Sequence, residues 1–183
     1  NAIGTFTKPS KVAIDTSWLK TLPKREVLNG WMELSKHALV GDELLWKELR
    51  NLTPHDSDIN WDKLVKAGSS IKRKIIESDF RETGERKILN FGHTIGHALE
   101  SVAALSKTPL DHGFAVGVGM IVSLQWSASR ADDASNKGAL HDAARQLQKW
   151  LVNEGNGDPW HWSTSQNPSA LWSFMLRDKK NTS

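Results

Sequence analysis

A chain of 183 residues accommodates one domain with a hydrophobic core, and 38% hydrophobic with 25% charged residues is the balance of an ordinary soluble globular protein. The net charge of +3 is small and the lysines and arginines are spread along the chain, which argues against a nucleic-acid binder and suits an anionic small molecule. With no cysteine and no tyrosine, disulfides, thiolate metal sites, cysteine nucleophiles and tyrosine acid–base chemistry are excluded, and any metal falls to His, Asp or Glu.

Residues 11–15, from Lys11 through Val12 and Ile14 to Asp15, form a short β-branched run and the one strand expected. Thr21-Leu22-Pro23 then opens a helix over residues 24–39, with the proline near its first turn. A second helix follows the Gly41 break over 42–52. Residues 59–78 are amphipathic, with Leu64, Ile71 and Ile75 recurring at helical spacing and lysines opposite them. Glu82-Thr83-Gly84 reads as a turn, and 88–105 as the next helix. Residues 113–130 are apolar nearly all round, which marks a buried helix, and Gly113, Gly117 and Gly119 within it imply close contact with a neighbour. Helices are also expected over 137–153 and 169–177. The fold class is therefore all-α, a single multi-helix domain over residues 1–183 with one short N-terminal strand. No signal peptide opens the sequence and no apolar run reaches the length of a membrane span, so a cytoplasmic protein without a membrane partner is expected.

Four residues apart on a helix, His93 and His97 share one face and could grip one metal ion, unless the spacing is a packing coincidence. Asp111-His112-Gly113 puts another histidine at the start of the most buried helix, where a polar side chain needs a partner. Glu33 is the nearest carboxylate candidate, with Lys36 one turn on; the bland alternative is an exposed helical ion pair. Two histidines and one carboxylate with an open fourth position make a catalytic-zinc arrangement, whereas closed structural sites use four protein ligands. Lys72, Arg73, Lys74, Arg81, Arg86 and Lys87 form a basic cluster, most of it read as solvated helix face. Arg86 stands apart because Arg86, Asn90, His93 and His97 recur at four, three and four, which on one helix lines a guanidinium, an amide and two imidazoles along a single stripe. Such a stripe suits a carboxylate or phosphate on a polyol, beside a proton acceptor.

The run Arg86-Lys87-Ile88-Leu89-Asn90-Phe91-Gly92-His93-Thr94-Ile95-Gly96-His97-Ala98-Leu99-Glu100 resembles the signature of the 3-dehydroquinate synthases. The resemblance extends through Leu22-Pro23-Lys24-Arg25-Glu26, Asn29-Gly30, residues 72–84, His112-Gly113 and Asp178-Lys179-Lys180. It implies a lyase of the shikimate pathway that uses NAD and zinc, or cobalt in its place, on a seven-carbon phosphorylated keto acid. By position it implies that Glu33, His93 and His112 are the metal ligands, and that His97 moves protons near the substrate and is not a further ligand. It places Lys36, Lys72, Arg86 and Asn90 on the substrate, with Asn1 and Lys179 or Lys180 as further contacts, and Glu82 in an acid–base role. Trp18, Leu19, Lys20, Thr21 and Asn29 fall where NAD is touched. Met32 departs from the family's usual Ala at the expected nicotinamide contact, and Phe80, Phe114 and Ser35 depart from its usual residues elsewhere.

The resemblance further implies the C-terminal half of that fold, with an NAD-binding α/β domain before residue 1, since no Gly-rich dinucleotide turn occurs here. The sequence reads as a piece of a longer chain that needs its other half for turnover, and association with a second copy is expected. Other readings are another NAD-dependent sugar-phosphate cyclase, a metal-dependent alcohol dehydrogenase domain, or a non-catalytic helical binding module.

Overall fold

The computed structural model describes residues 7–107, 110–154, 161, 163 and 165–176. Asn1, Lys179 and Lys180 lie outside them. Helix α1 spans Lys24–Gly41, α2 Glu43–Leu49, α3 Trp61–Ser78, α4 His93–Leu105, α5 His112–Arg130, α6 Ala134–Glu154 and α7 Pro168–Met175, with 3-10 turns at Thr16–Thr21 and Glu85–Asn90. The all-α class holds: no strand occurs among the described residues.

The expected strand at 11–15 does not form. Val12 is 70% and Ile14 58% exposed, and no second strand among the described residues offers a ladder for their backbone. β-branched composition alone cannot make a strand without a partner. Polar caps set several helix starts as expected from side-chain chemistry: Asp42 accepts from Leu45 N, Asn60 from Lys63 N and Asn167 from Ser169 N.

The core is organised around α5, which packs on α1, α4 and α6 and is buried over most of its length. A tryptophan cluster closes the far side. Trp31 meets Trp61 and Trp150 edge-on with ring centroids 5.9 and 5.5 Å apart, and Trp46 meets Trp150 at 5.9 Å. Such T-shaped pairs add about 0.5–1.5 kcal/mol beyond area burial. The Trp150 indole also donates to the Leu52 carbonyl at 3.0 Å, so its one polar atom is satisfied in the core. Met32 is fully buried against Gly117 and Leu151, so its bulk goes into the core between α1 and α5.

The helix expected over 88–105 is divided. Residues Glu85–Asn90 wind as a 3-10 turn, Gly92 takes a left-handed φ of 80°, and α4 starts only at His93. The cause is tertiary. A Cβ on Gly92 would lie 2.6 Å from the Val116 carbonyl oxygen, and one on Gly119 would lie 2.0 Å from the Gly92 carbonyl oxygen. Backbone meets backbone where α4 begins against α5, and only glycine permits that approach at that φ. Arg86 and Asn90 are therefore not on the helix that carries His93 and His97, and the four-residue stripe read from spacing does not exist.

Candidate metal centre

Three elements bring the histidines and the carboxylate together. Successive turns of α1 present Arg25, Asn29 and Glu33 to the start of α5. Arg25 forms an ion pair with Asp111, and the Asn29 side-chain oxygen accepts from Phe114 N at 3.2 Å, supplying one of the partners that a helix N-terminus lacks. Gly113 sits so close that a Cβ there would lie 2.4 Å from the Asn29 carbonyl oxygen. One turn further along α1, Glu33 Oε1 faces His93 Nε2 at 3.7 Å and His112 Nε2 at 3.8 Å.

Both imidazoles are turned by hydrogen bonds on their other nitrogen. His93 Nδ1 lies 3.2 Å from the Phe91 carbonyl oxygen, and a carbonyl only accepts, so Nδ1 carries a hydrogen and, in the neutral ring, Nε2 holds the lone pair on the side of Glu33. His112 Nδ1 lies 3.1 Å from Glu100 Oε1. Glu33 Oε1, buried between the two rings, makes no hydrogen bond, while its other oxygen accepts from Lys36 Nζ at 2.7 Å. Burial pushes the Glu33 carboxyl up, but the Lys36 ammonium and its hydrogen bond, with His93 and His37, together hold it below the usual carboxylate range. An ionised carboxylate oxygen without a hydrogen-bond donor, facing the Nε2 atoms of two imidazoles, is a donor set suited to a divalent cation. One candidate ligand atom from each of Glu33, His93 and His112 lies within 4.8 Å of the others. Two nitrogens and an oxygen at this spacing fit zinc or a similar divalent ion.

His97 stands beside this set, with ring centroids 5.5 Å from His93 and 6.1 Å from His112. The structure pairs His93 with His112, not with His97 as spacing alone suggested. Lys36 is buried against Glu33, which excludes the exposed helical pair. His37 is buried beside it, and burial in the first place, then Lys36, hold its pKa at about 4, with Lys72 acting the same way and Glu33 opposing.

The remaining candidates form two further groups. A cavity of about 280 Å³ is lined by Glu33, His37, Lys72, Leu19 and Gly30 among others, which joins Lys72 and the 3-10 turn carrying Trp18, Leu19, Lys20 and Thr21 to the carboxylate side of the centre. Asn29 is half-buried, its side-chain oxygen accepting from Phe114 N at the start of α5 and its amide donating to Glu26 at 3.3 Å. Glu82, Arg86 and Asn90 form their own cluster: Asn90 Nδ2 donates to Glu82 Oε1 at 2.6 Å, Arg86 Nη1 donates to the Phe80 carbonyl at 2.6 Å, and Arg86 Nε lies 3.9 Å from Glu82 Oε2. Glu82 itself sits at a φ of 59°, uncommon for a residue with a side chain. A cleft of about 870 Å³, mostly apolar, reaches Asn90 and Phe91 but none of Glu33, His93 and His112.

Sequence reasoning gave no role to Glu100 or to Asp79. Glu100 lies three residues after His97 and seven after His93, a helical spacing that places all three on one side of α4. Asp79 accepts from Thr83 N, Gly84 N and Arg86 N at 3.0, 2.7 and 3.1 Å, and the resemblance over residues 72–84 covers it without giving it a role.

Fold and site together define an all-helical domain built around a two-histidine, one-carboxylate cluster. The family described as "3-dehydroquinate synthase C-terminal" matches residues 30–181, and the chain belongs to it. It is 44% identical over 183 residues to 3-dehydroquinate synthase of Geobacillus kaustophilus, covering 98% of this chain and 47% of that protein. Similarity to 3-dehydroquinate synthase of Lactococcus lactis subsp. cremoris is 44% over 187 residues, again 98% of this chain and 48% of the relative. The Pyrococcus abyssi protein of that name is 40% identical over 123 residues, 67% of this chain and 36% of its own length. The chain thus spans about half the length of the first two relatives.

Proposed function

We propose that this chain is the metal- and substrate-binding part of a 3-dehydroquinate synthase, which converts 3-deoxy-D-arabino-heptulosonate 7-phosphate to 3-dehydroquinate and phosphate. The observation that carries this is the convergence of Glu33, His93 and His112 on a buried carboxylate oxygen without a hydrogen-bond donor, in a chain of this family. When bound, zinc supplies a Lewis acid for a substrate hydroxyl, and NAD, held mainly by a preceding α/β domain, supplies the hydride acceptor.

The chain's own residues divide the remaining work. Lys36, locked on Glu33, keeps the carboxylate ionised as a ligand. His97, next to both ligand imidazoles, holds and passes a proton at its ring nitrogens close to the reacting hydroxyls. Arg86 and Asn90 receive the anionic end of the substrate, with Glu82 between them as a proton carrier and as the group that orients both. Lys72, on the wall of the cavity beside Glu33, adds a second positive charge for a diacid substrate. Asn1 and Lys179 complete the anion contacts, and the turn carrying Trp18, Leu19, Lys20 and Thr21, with Asn29, meets the nucleotide.

On this reading the protein works in the cytoplasm and pairs with a second copy; no helix among the described residues is long and apolar enough to cross a membrane. The test is to join the chain to its NAD-binding half and assay phosphate release from the seven-carbon substrate with zinc and NAD present. Release that disappears with His97→Ala supports the reading. No release from the intact pair sinks it.

A further inference from the structure

The two candidate histidine ligands are held by different means. His93 is enclosed, its side chain 11% exposed, and a backbone carbonyl two residues away fixes its ring. The His112 side chain is 48% exposed at the first position of α5, with the His93 ring edge-on at 5.3 Å and the His97 ring stacked at 6.1 Å. One contact fixes it on the side away from Glu33: Glu100 Oε1, from the α4 helix, 3.1 Å from Nδ1.

We infer that Glu100 is a positioning residue for the metal centre, holding the His112 ring in the Nδ1–H form with Nε2 aimed at Glu33. This rests on the metal-site reading above. A carboxylate has only acceptor oxygens, so the hydrogen of this bond belongs to Nδ1, and in the neutral, metal-binding ring the lone pair belongs to Nε2. The bond also ties α4 to α5 across the centre, so ligands on separate helices keep their spacing. A carboxylate behind a ligating imidazole raises its basicity as well as fixing its direction.

Glu100 has a rival role. His97, Glu100 and His112 also place one candidate ligand atom each within 4.8 Å of one another, as a second ion would need. The geometry favours positioning, because the nitrogen of His112 nearest Glu100 is within hydrogen-bond reach and its other nitrogen faces Glu33. A second ion would have to displace the hydrogen from that bond.

The experiment uses the full 183-residue chain and cobalt(II), with zinc competition for affinity, in wild type, Glu100→Ala, Glu100→Gln and His93→Ala. The wild-type chain should take up one equivalent. Glu100→Ala should bind about 10–100-fold more weakly, the loss typical of an outer partner, with an altered cobalt absorption band. Glu100→Gln keeps an acceptor oxygen and should recover most of the affinity. Nitrogen-15 correlation spectra of the metal-free chain give an independent readout: His112 should be the Nδ1–H tautomer in wild type and a mixture in Glu100→Ala. Unchanged affinity and tautomer in Glu100→Ala would overturn this inference while leaving the metal site intact. Two equivalents in wild type and one in Glu100→Ala would overturn it in favour of Glu100 as a ligand. No uptake by wild type would overturn the metal reading, and the His112 tautomer would then still decide whether Glu100 sets the ring.

Discussion

In the histidine cluster, side chains from α1, α4 and α5 meet because three helix backbones are pressed together; in residues 79–90, a single carboxylate gathers a turn around itself. The first arrangement depends on small residues at contacts far apart in sequence, such as Gly92 on Gly119 and Gly113 on Asn29. The second is local: Asp79 accepts from three backbone N–H groups within seven residues, and Glu82 then bridges Arg86 and Asn90. On the function proposed above, rigid helix packing suits ligands that must hold one geometry. A turn held by hydrogen bonds would then suit residues that grip a substrate that arrives and leaves. The two regions meet at Phe91, whose carbonyl orients His93.

The largest effect should come from breaking the helix contact. Gly92→Ala forces an alanine to a φ of 80° and puts its Cβ against the Val116 carbonyl oxygen and the Met120 side chain. A loss of about 3–4 kcal/mol is expected, from strain plus overpacking, read as a lowered urea midpoint. A midpoint near wild type would mean that the backbone contact is not what divides the expected helix. Next comes His93→Ala, which should abolish measurable zinc binding, a loss beyond the roughly 10–100-fold of an outer partner. It should lower stability by only about 1 kcal/mol, checked by the same unfolding curve. Zinc titration with unchanged affinity would remove His93 from the ligand set.

Much of this was legible in the sequence, for identifiable reasons. The buried α5, the amphipathic α3 and the start of α1 at Lys24 follow from apolar periodicity and Pro23. Spacing and burial bring Glu33, His93, His97 and His112 forward as candidates with His93 paired to His97, and the resemblance to a known signature selects Glu33, His93 and His112 among them. The break at Gly92 was not legible, since Leu89, Phe91 and Ile95 continue a helical pattern, and the interruption comes from α5 on the other side. The strand at 11–15 failed for the opposite reason: its local preference was real but no partner strand was described to use it. The role of Asp79 escaped because hydrogen bonds to backbone leave no pattern in residue types beyond a glycine.

Acid should separate the two regions. His37 lies among the helices beside the centre, held at about 4 by burial and by the charge of Lys36. Its folded pKa is below the ordinary 6.5, so the unfolded chain takes up the proton first, and stability should fall as the pH drops from about 6.5 to about 4. His37→Gln should flatten that slope in urea midpoints measured across the window; an unchanged slope would assign it to other groups.

The smallest expected effect belongs to Asp79, and it falls elsewhere on the pH axis. Hydrogen bonds from the backbone of Gly84, then Thr83 and Arg86, pull its carboxyl down to about 2 from the ordinary 3.8. A depressed carboxylate contributes in full above its ordinary pKa and loses that contribution as the pH falls toward and below the folded value. The Thr83, Gly84 and Arg86 amides should therefore hold their chemical shifts through the range where His37 acts, and move only as the pH approaches about 2. Asp79→Asn removes the charge and turns an N–H toward donors that need an acceptor, so those amides should lose exchange protection at neutral pH. Zinc affinity should stay at the wild-type value, because none of Glu33, His93 and His112 lies on that turn. If affinity falls together with protection, the strain is reaching His93 through Phe91, and the turn and the helix cluster behave as one unit.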